Sequence, residues 1–148
     1  MVCLGNICRS PLAEGILKHK LPKHNFIVES AGTSNYHIGE LPDKRSIEVA
    51  KKYGIDITNQ RGRQFKVSDF VEFNFIFVMD TSNYENVIAL ARNDDDKKKV
   101  QLILNELDNE LINVPDPYYG GDSGFENVFQ LLNQACDRIY IKALKNIS

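Results

Sequence analysis

The chain predicts an α/β fold: one four-stranded parallel sheet with helices on both faces, in three layers. Three observations carry that prediction. Apolar runs of strand length alternate with segments of helical periodicity. Phe73-Asn74-Phe75-Ile76-Phe77-Val78-Met79 is apolar at nearly every position, as a strand buried on both faces requires. The 148 residues, 43% hydrophobic and 26% charged, suit a single ordinary globular domain over 1–148.

Met1-Val2-Cys3-Leu4 is a short apolar run and the first strand. A helix follows over 10–21, with Ser10 as N-cap, Pro11 at the first helical position and Pro22 at the exit. Leu12, Ala13, Ile16 and Leu17 share its inner face. Phe26-Ile27-Val28 is the second strand, closed by the turn-forming run Ser30-Ala31-Gly32-Thr33-Ser34. A helix over 43–53 turns Ile47 and Ala50 inward and ends with Gly54 at its C′ position. Residues 66–70 form a helical turn. The strand over 73–79 leads to a helix opened by Thr81 and Ser82. Ser82 and Glu85 have capping-box spacing, and Tyr84, Val87, Ile88 and Ala91 follow at helical intervals. Asp94-Asp95-Asp96-Lys97-Lys98-Lys99 reads as a solvated charged loop. Residues 100–104 make a fourth, shorter strand, and 115–124 is turn-rich. A helix over 125–144 closes the chain, with Phe125, Val128, Phe129, Leu132, Ala135, Cys136, Ile139 and Ala143 on its buried side.

Composition excludes several functions. A net charge of -2 and a pI of ≈ 5.9 disfavour a nonspecific nucleic-acid binder. No run of about 18 apolar residues provides a membrane span, and no basic segment followed by an apolar one marks a secretory signal. Three cysteines, an odd number, argue against a disulfide framework and for a reducing, cytoplasmic location. Two of them, Cys3 and Cys8, fall within the first eight residues.

In a sheet of this kind the ligand sits beyond the carboxyl ends of the strands. The first such loop is Cys3-Leu4-Gly5-Asn6-Ile7-Cys8-Arg9-Ser10. It joins a strand to a helix N-terminus, whose free N–H groups favour an anion. Gly5 and Asn6 tolerate the positive φ that a tight curl needs. Arg9 adds a planar fork suited to two phosphate oxygens. The field that holds an anion also favours a thiolate, so Cys3 is a candidate nucleophile. The Ser10 hydroxyl can donate to that thiolate, and Asn6 can brace the loop. A metal site lacks a matching Cys/His pair, since His19, His24 and His37 are scattered. A nucleotide P-loop lacks the Gly-Lys-Ser/Thr ending. Cys136 lies on the apolar stripe of the last helix and reads as core.

Cys3 to Pro11, CLGNICRSP, resembles the signature loop of the low-molecular-weight protein tyrosine phosphatases. Ser30 to Ser34, Pro42-Asp43-Lys44-Arg45, Arg63-Gln64, Met79-Asp80 and Asp116-Pro117-Tyr118-Tyr119-Gly120 fall where that family's motifs fall. The resemblance spans nearly the whole chain. It implies a fold of the low-molecular-weight phosphatase (flavodoxin-like) type. It also implies hydrolysis of protein phosphotyrosine through a phosphocysteine, releasing inorganic phosphate, with no cofactor and no metal. Cys3, Arg9 and Asp116 are then the catalytic residues, Asp116 as general acid. Leu4, Gly5, Asn6, Ile7, Cys8 and Ser10 bind phosphate and support the loop. Tyr36, Tyr118 and Tyr119 belong to the substrate pocket, where aromatic walls favour a flat phenyl ring. The same resemblance implies a reversible disulfide between Cys3 and Cys8 and phosphorylation of Tyr118 and Tyr119. The expected partners are phosphotyrosine proteins, not nucleic acid or membrane, and the expected state is a monomer.

Two departures from the family pattern stand out. The chain starts two residues before Cys3, where the family has more apolar residues, so the first strand is expected to be incomplete. Gln60 stands where many relatives place a histidine that buttresses the loop. Three other functions remain open at this point. An arsenate reductase needs further cysteines, and Cys136 alone lies outside the loop. An arginine phosphatase of this fold typically has threonine where Ile7 stands. A phosphate-binding module without turnover needs neither Cys3 nor Asp116.

Overall fold

The computed structural model describes residues 1–120 and 122–147. Four strands, β1 (Val2–Cys3), β2 (Ala31–Gly32), β3 (Ile76–Val78) and β4 (Val100–Leu102), form one parallel sheet. Their order is β2-β1-β3-β4, so the strand that ends in Cys3 is central. The helices are α1 (Arg9–Lys20), α2 (Lys44–Lys52), α3 (Asp69–Glu72), α4 (Thr81–Ile88), α5 (Asp94–Lys98) and α6 (Asp122–Ile147). A 3-10 turn, Ile103–Glu106, follows β4. The three-layer α/β architecture expected from the sequence is the one observed.

Alternation along the strands sorts the core into two layers. Val2, Ile76 and Val78 point to one face, with Ala31, Phe70 of α3 and Val87 of α4. Cys3, Phe77 and Met79 point to the other, with α1, α2 and α6. Each fully buried Phe or Leu there contributes about 1.5–3 kcal/mol relative to exposure. Helix α1 runs between α6 and α2 and is buried from Arg9 to Leu17. Gly15 lets it approach Ile57, since a Cβ there would stand 2.5 Å from that residue's Cγ2. The inner face predicted for α6 is the face observed, and Gly54 ends α2 with φ +77.

Several boundaries differ from the sequence reading. The second strand is Ala31–Gly32, not Phe26-Ile27-Val28. Its register is set by β1: Ala31 N–H donates to the Met1 carbonyl and Thr33 N–H to the Cys3 carbonyl, each at 2.9 Å. Small residues serve there because the loop after β1 folds over them. A Cβ on Gly32 would stand 2.7 Å from the Leu4 carbonyl oxygen. Ile27 is exposed, whereas Phe26 and Val28 pack against the core without joining the ladder. The third strand begins only at Ile76; Phe75 ahead of it is 59% exposed. Helix α3 starts at Asp69, one turn later than expected, and α6 starts at Asp122, earlier than expected.

The helix caps also differ. Ser10 is inside α1 and caps nothing, because its hydroxyl is used in the loop described below. Asp80, not Ser82, caps α4 through Asn83 N–H. The charged run 94–99 is not a solvated loop. Asn93 caps α5, and Asp96 is buried beneath Arg92, which it binds through Nε at 2.9 Å and Nη2 at 3.1 Å. Gly121, inside the predicted 115–124 turn, lies outside the described residues.

At the amino ends of the strands a groove of about 890 Å³ opens beside Met1 and Val2. It is lined by Phe26, Val28, Phe73, Phe75 and Ile139 among others and carries a largely apolar surface. The Met1 ammonium donates to the Glu29 carbonyl at 2.9 Å, and β1 pairs with β3 through Val2↔Val78 alone. Cys3 sits at the other end of the strand. Among the described residues no helix is long and apolar enough to cross a membrane.

Candidate active site

The loop 4–8 curls between β1 and α1, and the curl is enforced at Asn6, whose φ is 58°. That left-handed conformation costs most residues about 1–2 kcal/mol. Asn6 repays it with its side chain. Its amide Nδ2 donates to Ser10 Oγ at 2.8 Å and to Ser30 Oγ at 2.9 Å. Its Oδ1 accepts the Arg63 backbone N–H at 3.0 Å. Asn6 is buried and pinned on three sides.

Its own backbone N–H points at Cys3 Sγ, 3.3 Å away. Ser10 Oγ lies 3.0 Å from the same sulfur. The Ser10 oxygen already accepts the Asn6 amide hydrogen. Its own proton has two acceptors in reach, Cys3 Sγ at 3.0 Å and the Ala31 carbonyl at 3.5 Å. The sulfur thus faces the Asn6 N–H and the Ser10 hydroxyl at the start of a 12-residue helix, whose first amides lack intrahelical acceptors.

Arg9 is buried and its guanidinium is held by two groups. Nη1 donates to Asp80 Oδ2 at 2.6 Å and to the Val114 carbonyl at 3.0 Å. Nη2 lies 3.7 Å from Asp116 Oδ2. The Asp116 side chain is 40% exposed, and its Oδ1 accepts the Tyr118 N–H at 3.1 Å. The structure therefore brings Asp116 to the Arg9 guanidinium from far along the chain, and Arg9 directly precedes Ser10, whose Oγ contacts Cys3 Sγ. Asp80, to which the sequence assigns no role, holds Arg9 while also capping α4.

The rest of the loop is fixed from outside. Asp43 N–H donates to the Ile7 carbonyl at 2.7 Å and Ser46 Oγ to the Cys8 carbonyl at 3.2 Å. The Ser34 N–H donates to the Leu4 carbonyl at 3.0 Å. Gln60 occupies the buttress position: Nε2 donates to the Pro11 carbonyl at 3.0 Å, and Oε1 accepts from Ser30 Oγ at 3.4 Å. Gly5 packs under the His37 ring, where a Cβ would stand 3.0 Å from Cδ2. Asp43 and Ser30 fall in motifs that fit the family, but those motifs give them no role, and Ser46 stands outside them. Their part here comes from their position at the carboxyl edge of the sheet.

Tyr36, Tyr118 and Leu4 are exposed around the loop. Tyr36 precedes His37 in the chain, and it is His37 whose ring covers Gly5. Tyr119 is 92% exposed and meets the Tyr118 ring edge-on, with centroids 4.9 Å apart. Ile7 is partly buried against the core. All three cysteines are free and buried. Burial pushes the Cys8 and Cys136 thiols up to about 12. Among the described residues no group of three or more His, Cys, Asp or Glu side chains is placed to hold a metal ion.

Comparison with known proteins matches this arrangement. A sequence model of the family "low molecular weight phosphotyrosine protein phosphatase" matches residues 1–147. The Saccharomyces cerevisiae protein of that name is 40% identical over 87% of this chain and 84% of its own. The Homo sapiens protein is 37% identical over 96% of this chain and 92% of its own. The crystal structure of a protein tyrosine phosphatase from Entamoeba histolytica superposes with a TM-score of 0.90. It is 37% identical and covers 99% of this chain and 96% of that one. The extent of these matches, over the same loops that surround Cys3, establishes that the chain belongs to the low molecular weight phosphotyrosine protein phosphatase family.

Proposed function

We propose that Cys3, Arg9 and Asp116 carry out the phosphotyrosine phosphatase reaction of this family, in one catalytic domain. The observation that supports this reading is a sulfur in a donor cradle at the start of the helix that carries Arg9, with the Asp116 carboxyl 3.7 Å from the Arg9 guanidinium.

The Arg9 fork and the loop amides hold the phosphoryl oxygens. The Cys3 thiolate attacks phosphorus in line, and a P–S bond forms as the P–O(aryl) bond breaks. Asp116 delivers its proton to the departing phenolate oxygen. In the second step ionised Asp116 takes a proton from water, whose oxygen attacks phosphocysteine. Inorganic phosphate leaves, and the Cys3 sulfur departs as thiolate, stabilised by the Ser10 hydroxyl. Leu4, Gly5, Asn6, Ile7, Cys8 and Ser10 shape and support the cradle, while Asp80 keeps Arg9 aimed. Tyr36 and Tyr118 flank the aryl ring, and Tyr119 extends that aromatic edge toward solvent. Phosphoproteins bearing phosphotyrosine are the substrates. Three free cysteines support a reducing, cytoplasmic setting. We take the working species to be a monomer, which sedimentation would test.

The test is steady-state kinetics on aryl phosphates. Cys3→Ser should abolish turnover, by at least about 1,000-fold, while inorganic phosphate still binds. Asp116→Ala should lower kcat/KM by about 100-fold or more for phenyl phosphate. It should do little for 2,4-dinitrophenyl phosphate, whose phenolate leaves unprotonated. Turnover by the Ser variant would overturn the covalent route. Preference for a phosphoarginine peptide over a phosphotyrosine one would overturn the substrate class.

A further inference from the structure

The first turn of α2 touches both halves of the site. On one side Asp43 N–H and Ser46 Oγ hold the Ile7 and Cys8 carbonyls of the nucleophile loop, at 2.7 and 3.2 Å. On the other side stands Arg45. Its Nε and Nη2 donate to the two Asp43 carboxylate oxygens at 3.0 and 3.1 Å. Nη2 also donates to the Tyr118 carbonyl at 3.0 Å, and Nη1 to the Gly120 carbonyl at 3.3 Å. The guanidinium carbon lies 5.6 Å from the Tyr118 ring centroid and 4.5 Å from that of Phe125.

The segment that carries Asp116 is anchored upstream at Val114, whose N–H donates to the Met79 carbonyl at 2.8 Å and whose carbonyl accepts from Arg9 Nη1 at 3.0 Å. Past Asp116, among the described residues, the backbone ties that leave the segment are those to Arg45. Pro115 and Pro117 lack an amide hydrogen, which removes two backbone donors. The Gly120 N–H bond to the Pro117 carbonyl is local, at 3.0 Å. Asp116 itself reaches Arg9 only at 3.7 Å. With Val114 fixed upstream, the two carbonyls on Arg45 hold the far side of Asp116. Asp43 sets Arg45 in turn. It caps α2 by accepting the Arg45 N–H at 2.9 Å, and its carboxylate forms a fork-to-fork pair with the guanidinium.

We propose that Arg45, clamped by Asp43, is a positioning residue that sets the reach of the general acid. It hangs the Asp116 segment from the same helical turn that holds the nucleophile loop. The reach of the acid is thereby tied to the nucleophile loop through this side chain, with Val114 as the upstream anchor. This rests on the assignment of Asp116 as the acid. Lysine cannot replace arginine here, because a single ammonium does not supply a planar fork to a carboxylate and two carbonyls.

The experiment compares wild type, Arg45→Gln, Arg45→Lys and Asp116→Asn on phenyl phosphate and 2,4-dinitrophenyl phosphate. It reads kcat/KM, inhibition by inorganic phosphate and thermal stability. Loss of acid placement costs about 10- to 100-fold in kcat/KM on phenyl phosphate for both Arg45 variants. On the dinitrophenyl ester the loss stays within about threefold, and phosphate inhibition stays within about twofold. Equal losses on both esters, or no loss on either, would overturn the proposal, since a merely structural role moves both substrates together. Should Arg45→Gln fail to fold, Arg45→Lys carries the same comparison. Asp116→Asn separates the two readings. If it too lacks leaving-group dependence, the acid assignment fails. If it shows that dependence and the Arg45 variants do not, the positioning role alone fails.

Discussion

Asn6 concentrates at one residue the conflict between backbone and side chain that builds the loop. Its φ of 58° suits glycine better, yet its amide makes three hydrogen bonds that glycine cannot. Two variants separate the contributions. Asn6→Gly relieves the backbone but strands Ser10, Ser30 and the Arg63 N–H. Asn6→Ala strands them and also strains the backbone. We predict that both lower kcat/KM, and that Asn6→Ala is the less stable by about 1 kcal/mol in urea unfolding. Equal stabilities would mean that the loop relaxes out of its left-handed turn. The residue types of this loop were legible in sequence because nucleophile, guanidinium and hydroxyl each carry a chemical signature. Asp80 and Arg45 stand in motifs that fit the family, but their roles are not legible there. A carboxylate or guanidinium acquires its meaning from what it touches, and Asp80 meets Arg9 71 residues away while Arg45 reaches as far as the Gly120 carbonyl, 75 residues on.

The elements owe their ends to a few carboxylates. Burial alone would push the Asp43 carboxyl up, but its hydrogen bonds to Arg45 outweigh that and hold it below its ordinary 3.8. The Arg92 hydrogen bond does the same for Asp96 at the start of α5. A carboxyl whose folded pKa lies below its unfolded one binds fewer protons when folded. Its contribution is complete above the unfolded value and is lost as pH falls through the folded one. Thermal stability should therefore drop on acidification below about pH 4, and less steeply in Asp96→Asn than in wild type. A melting-temperature series against pH checks this; parallel curves would refute it. The strands show why element type was easier to read than element ends. Phe26-Ile27-Val28 has strand composition, yet the ladder on β1 is made by Ala31 and Thr33, which donate to the Met1 and Cys3 carbonyls, while Phe26 and Val28 spend their apolar surface on the core. Likewise 94–99 has the composition of a loop, and the Asn93 cap together with the buried contact of Asp96 with Arg92 makes it a helix.

At the scale of the molecule, the alternation of apolar runs was enough to give the layers, because burial on two faces leaves a strong trace in sequence. The order β2-β1-β3-β4 places the reactive loop at the centre of the sheet, between the two core layers. No separate part of the chain holds the site. Cys3 comes from β1, Gln60 and Arg63 from the segment after α2, Asp80 from the end of β3, and Asp116 from the connection into α6. Activity and helical signal should therefore vanish together in urea, with one midpoint, as for a single cooperative unit. An earlier loss of activity would mark the acid segment as a separately melting part.

The span from Arg9 to the Val114 carbonyl, 105 residues, has a consequence for a chain being made. Synthesis delivers the thiol first and the Asp116 carboxyl 113 residues later (116 − 3). Domains generally fold as units during synthesis. The cradle leans on Ser30 and Arg63, and the Arg9 guanidinium leans on Asp80 and Val114, so the sulfur lacks its supports until those segments have emerged. Nucleophile and acid thus become competent together rather than one after the other.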